Sequence, residues 1–190
     1  IDYSKSPHSA MPDTVSGVTA GKAMTFEEAD NGRANPNYSP FSYGYSHNCQ
    51  STVVTHEARM RGYDLETRPK TSAAARELSH DTTLAWIDPN TGRKPSMDAL
   101  TGNKGVELSR VIQNGERYSI EFHHSTGGHI ITASKDSNGV VRLYDPQTNM
   151  KASGTAEINK YFSDRKARNI RYLRVDNLDF NEDMINAITK

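Results

Sequence analysis

Alternating apolar residues late in the sequence constrain the fold of this chain more strongly than any other feature. In RYSIEFHH, the residues Tyr118, Ile120 and Phe122 recur at every second position, which predicts a strand with one buried face. HIITAS at 129–134 and VVRLYD at 140–145 predict two further strands, and the DSNG sequence between them is a strong hairpin signal. The C-terminal half of the chain therefore predicts an antiparallel sheet.

Helical patterns lie mostly ahead of this sheet. The segment from Cys49 to Arg61 contains neither Gly nor Pro and is followed by Gly62, as expected at the end of a helix. YDLET, directly after it, alternates as a short strand would. Helices before an antiparallel sheet indicate an α+β fold. Further helices are predicted at 25–29, 71–80, 105–115, 155–163 and 180–189, and a last strand at 169–175.

The start of the chain differs in composition from the rest. Residues 1–23 are rich in Ser, Pro, Gly and Thr and show no hydrophobic periodicity, so we predict a flexible arm or linker there and one folded domain over residues 24–190. The chain begins with Ile1 and carries neither an initiating Met nor a signal-peptide pattern. We therefore expect it to be a fragment of a longer protein.

The overall composition argues against several classes of partner. The 190 residues include 23 Lys or Arg and 23 Asp or Glu, so no basic excess exists to neutralise nucleic-acid phosphates. No apolar run approaches the ~20 residues needed to span a bilayer. One cysteine allows neither an internal disulfide nor a structural thiolate zinc site. We predict no nucleic-acid partner, no membrane segment, no metal and no cofactor.

The loop of the predicted hairpin decides which residues share a face of the sheet. A three-residue loop that ends at a left-handed Gly139 pairs His129 with Gln147. Asp145 then lies diagonally across from His129 on the same face, because side chains alternate along a strand. A two-residue loop would instead put His129 and Asp145 on opposite faces.

The single cysteine, Cys49, stands at the start of the predicted helix. The commonest fate of a free cysteine is burial as a small apolar side chain. The alternative is a nucleophile, because a helix N-terminus favours the thiolate and a nearby histidine can hold it as an ion pair. A cysteine, a histidine and an Asp or Gln that orients the histidine are the parts of an acyl-transfer site.

Several histidines compete for the role of base. His129 is the preferred candidate, because Gly127-Gly128 before it permits close backbone approach. His56 falls two turns along the helix from Cys49 and is predicted to be exposed. The other rivals are His47, His80, His123 and His124.

Longer stretches around these residues resemble a known family. NPNYSPFSYGYSHNCQSTVVTHEARMRGYDLETRP and GERYSIEFHHSTGGHIITASKDSNGVVRLYDPQT are similar to papain-fold toxins of the glutamine deamidase type, which occur in polymorphic toxins and at the C-termini of phage minor head proteins. The likeness covers about residues 25–150 in the same order. It is carried by Asn48-Cys49 with EARMRGY after it, by Gly128-His129-Ile130, and by Tyr144-Asp145-Pro146-Gln147.

The resemblance implies a papain-like cysteine hydrolase fold. In such a fold, a helix that carries the cysteine packs on a later antiparallel sheet that carries the histidine and the aspartate. The resemblance implies that Cys49 is the nucleophile, His129 the base and Asp145 the residue that orients the base. Gln147 is implied as a helper or substitute for Asp145.

The residues expected to donate hydrogen bonds to the oxyanion differ from those of the papain-type proteases. Those enzymes have a glutamine six residues before the nucleophile, and Tyr43 occupies that position here. The backbone N–H of Cys49 is one expected donor. Asn48 or Gln50 is expected to supply the other.

The leading hypothesis is a bacterial toxin or effector domain that deamidates a glutamine of a target protein through a thioester intermediate. A papain-like protease or a transglutaminase is the first alternative, because both share the acyl-enzyme step. The second alternative is a non-catalytic structural domain of a phage or mobile-element protein, with an inert Cys49. The resemblance also implies a cognate immunity protein. Delivery would be as the C-terminal part of a larger bacterial or phage protein, into the target-cell cytoplasm.

Overall fold

The computed structural model describes residues 11–30 and 32–190. Within them the chain is a mixed α+β protein with antiparallel sheets, which agrees with the predicted α+β class, while the papain-like fold stays a prediction. Two compact units make up the chain. Unit 1 comprises the described residues up to Pro95, together with Pro146–Asn149 and Asp176–Lys190. Unit 2 comprises Ser96–Asp145 and Met150–Val175. The single domain over residues 24–190 stays a prediction.

All the predicted helices appear, and their ends lie within a few residues of the expected positions. The helices of the described residues are α1 (Phe26–Ala29), α2 (Tyr43–Ser46), α3 (Cys49–Met60), α4 (Ala73–His80), a 3₁₀ helix (Thr82–Ala85), α5 (Lys104–Val111), α6 (Gly154–Asp164) and α7 (Glu182–Ile188). The strands are β1 (Thr14–Val15), β2 (Val18–Thr19), β3 (Trp86–Ile87), β4 (Asp98–Ala99), β5 (Arg117–His124), β6 (Gly127–Lys135), β7 (Val141–Asp145), β8 (Met150–Ser153), β9 (Arg168–Arg174) and β10 (Asp179–Phe180).

Helix α3 is the central element of unit 1, and every residue of it after Cys49 is buried. Its many Thr and Val residues are weak helix formers, so packing rather than propensity stabilises it. The hydroxyls of Thr52 and Thr55 donate to backbone carbonyls one turn earlier, at 2.9 and 3.0 Å. This satisfies their polar atoms inside the core.

The predicted end of α3 at Gly62 is confirmed. Gly62 has a φ of +104°, and its N–H donates to the carbonyl of Arg59 at 2.9 Å while the N–H of Tyr63 donates to Ala58 at 3.1 Å. These two bonds form a Schellman motif, which satisfies carbonyls that the helix end leaves unpaired. The backbone of Gly21 passes so close that a Cβ on Gly62 would lie 2.4 Å from its oxygen.

Unit 2 is built on a six-stranded antiparallel sheet with the strand order β4-β9-β5-β6-β7-β8. Alternate residues of the strands form one apolar core with residues of α5 and α6, as the period of two predicts. The core includes Ile120, Phe122, Ile131 and Leu143 from the sheet and Leu108, Ile158, Tyr161 and Phe162 from the two helices.

The predicted hairpin register between β6 and β7 is confirmed. Gly139 has a φ of +77°, and its N–H donates to the carbonyl of Asp136 at 3.0 Å. Lys135 pairs with Val141, and the same ladder continues along both strands. The loop therefore has three residues, and the His129 and Asp145 positions share the face that the helices cover.

Some predictions are wrong. YDLET forms no strand; Thr67 makes only an isolated bridge with Thr189. The arm over residues 1–23 stays a prediction: its described part, residues 11–23, contains the β1–β2 hairpin, in which Val15 is buried, and residues 1–10 lie outside the described residues. His56 is buried rather than exposed and packs edge-to-face on Phe26, because α3 presents no face to solvent.

In the part of the chain that the structure describes, every helix is too short or too polar for a membrane-spanning segment.

Candidate functional site

The cysteine occupies the first position of α3, as predicted. Its side chain is a free thiol and is partly exposed. Asn48 holds the N-cap position but its side chain makes no capping bond to the helix. The first N–H groups of a helix have no partner within the helix and carry partial positive charge. The thiol therefore lies beside the unpaired N–H groups of the first turn of α3.

The side chain of Asn48 joins a network of buried amides instead of capping α3. Its Nδ2 donates to Asn35 Oδ1 at 2.9 Å, and Asn35 Nδ2 donates back to Asn48 Oδ1 at 3.3 Å. Gln147 Nε2 donates to the same Asn48 oxygen at 3.1 Å. All three residues are buried. Each neutral amide can both donate and accept hydrogen bonds, so the three side chains hold one another in place. The network therefore fixes the backbone on the N-terminal side of Cys49.

Asn35 is a member of this network that sequence reasoning misses. It lies in an irregular segment rich in turn formers, and no spacing rule connects it with Asn48. The sequence predicts both Gln147 and Asn48 as site residues, but it does not predict the hydrogen bond between them. Their roles as orienter or oxyanion support stay predictions, as does that of Gln50, whose side chain is buried.

His129 and Asp145 meet in unit 2. The Nε2 atom of His129 lies 2.7 Å from Oδ2 of Asp145. The side chains are 17% and 5% exposed, respectively, so the carboxylate is held mostly away from solvent while the imidazole is accessible at one edge. Phe122 packs on the ring edge-to-face, with the centroids 5.8 Å apart. The ring thus contacts both a carboxylate and an aromatic residue, which together fix its orientation.

This geometry assigns different tasks to the two ring nitrogens. Nε2 is committed to Asp145, so Nδ1 is the atom that would exchange a proton with a thiol or a leaving group. A carboxylate beside an imidazole stabilises the imidazolium form. The pair therefore has the chemistry of a general acid–base catalyst.

The rival histidines have other surroundings. His47 stacks on Tyr43 with the ring centroids 4.2 Å apart, and His56 lies in the core of unit 1. His124 lies two positions from Phe122 on β5, and its pKa is lowered by burial and by the neighbouring cationic groups, His129 first among them. His123 is exposed, and His80 ends α4.

The predicted site residues thus fall into two groups. Unit 1 holds Cys49 with Asn48, Gln50 and Gln147, and unit 2 holds His129 and Asp145. Among the described residues, no cluster of three or more His, Cys, Asp or Glu side chains could hold a metal ion.

No model of a known protein family matches this sequence, and no curated protein matches it either.

Proposed function

We propose that the protein is a papain-like cysteine amidohydrolase that deamidates a glutamine side chain of a target protein. The observation that carries the proposal is the 2.7 Å contact between His129 Nε2 and Asp145 Oδ2. It pairs a base with its orienting carboxylate in a chain whose single cysteine begins a helix. Cys49 is the nucleophile, His129 the base and Asp145 the orienter.

The reaction divides into two acyl-transfer steps. The Cys49 thiolate attacks the side-chain amide carbon of the glutamine, and His129 Nδ1 donates a proton to the departing ammonia. Water then attacks the resulting thioester with His129 as base, and the thiolate leaves. The sum is glutamine and water converted to glutamate and ammonia. The target gains one negative charge.

The developing oxyanion needs hydrogen-bond donors that are already oriented. The backbone N–H of Cys49 at the start of α3 is the first such donor. The amide network of Asn48, Asn35 and Gln147 supports this role, because it fixes the backbone directly before the cysteine. The second donor in the proposal is the side chain of Asn48 or Gln50.

The proposal requires a hydrogen bond between the His129 imidazole and the Cys49 sulfur in the complex with substrate. The partial exposure of both side chains supports this, because each is accessible to a reacting partner. A fully buried thiol would have favoured the non-catalytic alternative, in which Cys49 is inert and the chain is a structural domain.

Intact-mass analysis of candidate target proteins tests the reaction. Deamidation adds about 1 Da and releases ammonia without breaking the chain, as a thioester mechanism with water as acceptor requires. Fragments would indicate a protease, and products joined to an amine would indicate a transglutaminase. The control is folded Cys49→Ala protein, which should form none of these three kinds of product. Product formation by that variant would refute a role for the thiol.

The biological setting is part of the same proposal. Conversion of a functional glutamine to glutamate would disable a target protein, which suits a toxin or effector delivered from a larger bacterial or phage protein into the target-cell cytoplasm. A cognate immunity protein would protect the producing cell. Expression in a host cell, with Cys49→Ala as the matched inactive variant, tests for toxicity.

A further inference from the structure

A cavity of about 410 Å³ opens beside His129 within unit 2. The sheet and its β5–β6 turn contribute Phe122, His124, Ser125 and His129, and the end of α6 contributes residues 164–166. Ser125 and residues 164–166 are exposed and form the rim of the cavity, whereas Phe122 belongs to the buried core behind it. Because His129 lines the cavity, a group held in it lies beside the imidazole of the proposed base.

The rim of the cavity carries positive charge. Arg165 and Lys166 both line it, and the guanidinium of Arg165 is held 3.7 Å above the ring centre of Tyr161. Among the described residues that line the cavity, Asp164 supplies the carboxylate, and the ammonium of Lys160 lies 2.6 Å from it. The Asp164 charge is therefore offset locally, which leaves the two cations to dominate the field at the opening.

The pKa of His124, which also lines the cavity, is lowered in this electrostatic environment. Burial lowers its pKa first, and the cationic groups of His129, Arg165, Arg168 and His123 lower it further. Burial disfavours a charge of either sign, but the contribution of the neighbouring cationic groups favours an anion at the same place. The C-terminal carbonyls of α6 oppose this, but Arg165 donates to the carbonyl of Tyr161 at 3.1 Å and neutralises part of their charge.

We propose that this cavity is a specificity subsite that binds the carboxylate of an Asp or Glu side chain close to the target glutamine. The inference rests on the proposed function for the position of the glutamine. Arg165 and Lys166 bind the carboxylate, and the half-buried His124 lies beside them in the same cavity. The enzyme then selects glutamines that lie in acidic surface segments of the target protein.

Binding of matched peptides to the inactive Cys49→Ala chain tests the subsite without turnover. Three peptides share a central glutamine and differ only in one neighbouring residue, which is Glu, Gln or Lys. We expect the Glu peptide to bind about tenfold more tightly than the Lys peptide, and the difference to shrink between about 50 mM and about 500 mM salt. The His124 pKa, followed by NMR, should rise when the Glu peptide binds.

Variants of the rim distinguish the subsite from general charge attraction. Lys166→Gln should remove most of the preference for the Glu peptide, whereas Arg110→Gln, which removes an exposed cation of α5 that does not line the cavity, should leave it unchanged. Asp164→Asn should strengthen binding of the Glu peptide, a gain that misfolding would not produce. Equal binding of the three peptides, or equal effects of Lys166→Gln and Arg110→Gln, would overturn the subsite.

Ammonia release by the unmodified chain separates this inference from the proposed function. If the Glu peptide binds preferentially but no peptide releases ammonia, the subsite stands and the deamidase proposal fails. If all three peptides release ammonia at the same rate, the deamidase stands and the subsite is refuted.

Discussion

His129 and Asp145 are sixteen positions apart in the sequence, yet Nε2 of the histidine lies 2.7 Å from Oδ2 of the aspartate. The contact crosses diagonally from β6 to β7 and depends on the three-residue loop that ends at Gly139. A shift of the register by one residue would move the two side chains to opposite faces. The hairpin loop is therefore as much a part of the candidate site as the side chains themselves.

The first prediction concerns the residue that orients the base. We expect Asp145→Asn to lower the rate of deamidation by about 10²- to 10⁴-fold, because an amide cannot stabilise the imidazolium as a carboxylate does. Gln147→Ala should cost less, since Gln147 donates to Asn48 and acts through the backbone near Cys49. Thermal melts must show that both variants are folded. A larger loss at Gln147 than at Asp145 would exchange their roles.

A second prediction concerns coupling between His129 and the thiol. If the imidazole holds the thiolate as an ion pair, His129→Ala should slow alkylation of Cys49 by iodoacetamide near neutral pH several-fold. His123→Ala is the matched control, because His123 is an exposed histidine of β5, and it should leave the rate unchanged. The measurement is the mass of the modified chain against time. Identical rates in the two variants would show that His129 and Cys49 are not coupled.

The sequence predicts the local parts of the candidate site well. The β6–β7 register follows from the spacing of the DSNG turn, because loop length fixes which residues face each other. The start of α3 at Cys49 and its end at Gly62 follow from the helical pattern and the glycine stop. Each of these features depends on a few neighbouring residues, which is why it can be predicted from one sequence.

Features that depend on distant packing escape prediction. His56 is buried although it lies away from Cys49 on a helix predicted to have one exposed face, because every residue of α3 after Cys49 is covered. Asn35 meets Asn48 across an irregular segment that has no periodicity. Val15 is buried in a stretch with the composition of a linker. In each case the deciding contact lies outside the window over which a pattern can be detected.

The buried amide network gives a third prediction. Asn35→Ala leaves Asn48 Nδ2 without its 2.9 Å acceptor in a site that water does not reach. We expect this change to lower the free energy of unfolding by about 1–3 kcal/mol and to slow alkylation of Cys49, because the backbone before the cysteine is less well fixed. Asn37→Ala, an exposed position in the same segment, is the control for both measurements. A loss of stability with unchanged alkylation would limit Asn35 to a purely structural role.

The last prediction concerns alkaline pH. Burial raises the pKa of the Tyr63 phenol from 10.0 to about 12, Arg61 opposes the rise, and Asp13 and Glu182 add to it. The folded chain therefore keeps the phenolic proton at a pH where the unfolded chain, with a pKa near 10, has released it. Between these two values the folded state binds more protons, so the free energy of unfolding falls as the pH rises.

Tyr63→Phe removes the titrating group and is the matched variant for this effect. At neutral pH the wild-type chain should be the more stable of the two, because the Tyr63 hydroxyl donates a hydrogen bond to the carbonyl of Pro12. As the pH rises from about 9 to about 11.5, that advantage should shrink steadily, since only the wild-type chain carries the linked proton. Urea unfolding of both chains across this range measures the difference directly, and titrations of other groups cancel in the comparison. A constant difference between the two chains would show that the pKa of the phenol is not raised in the folded state.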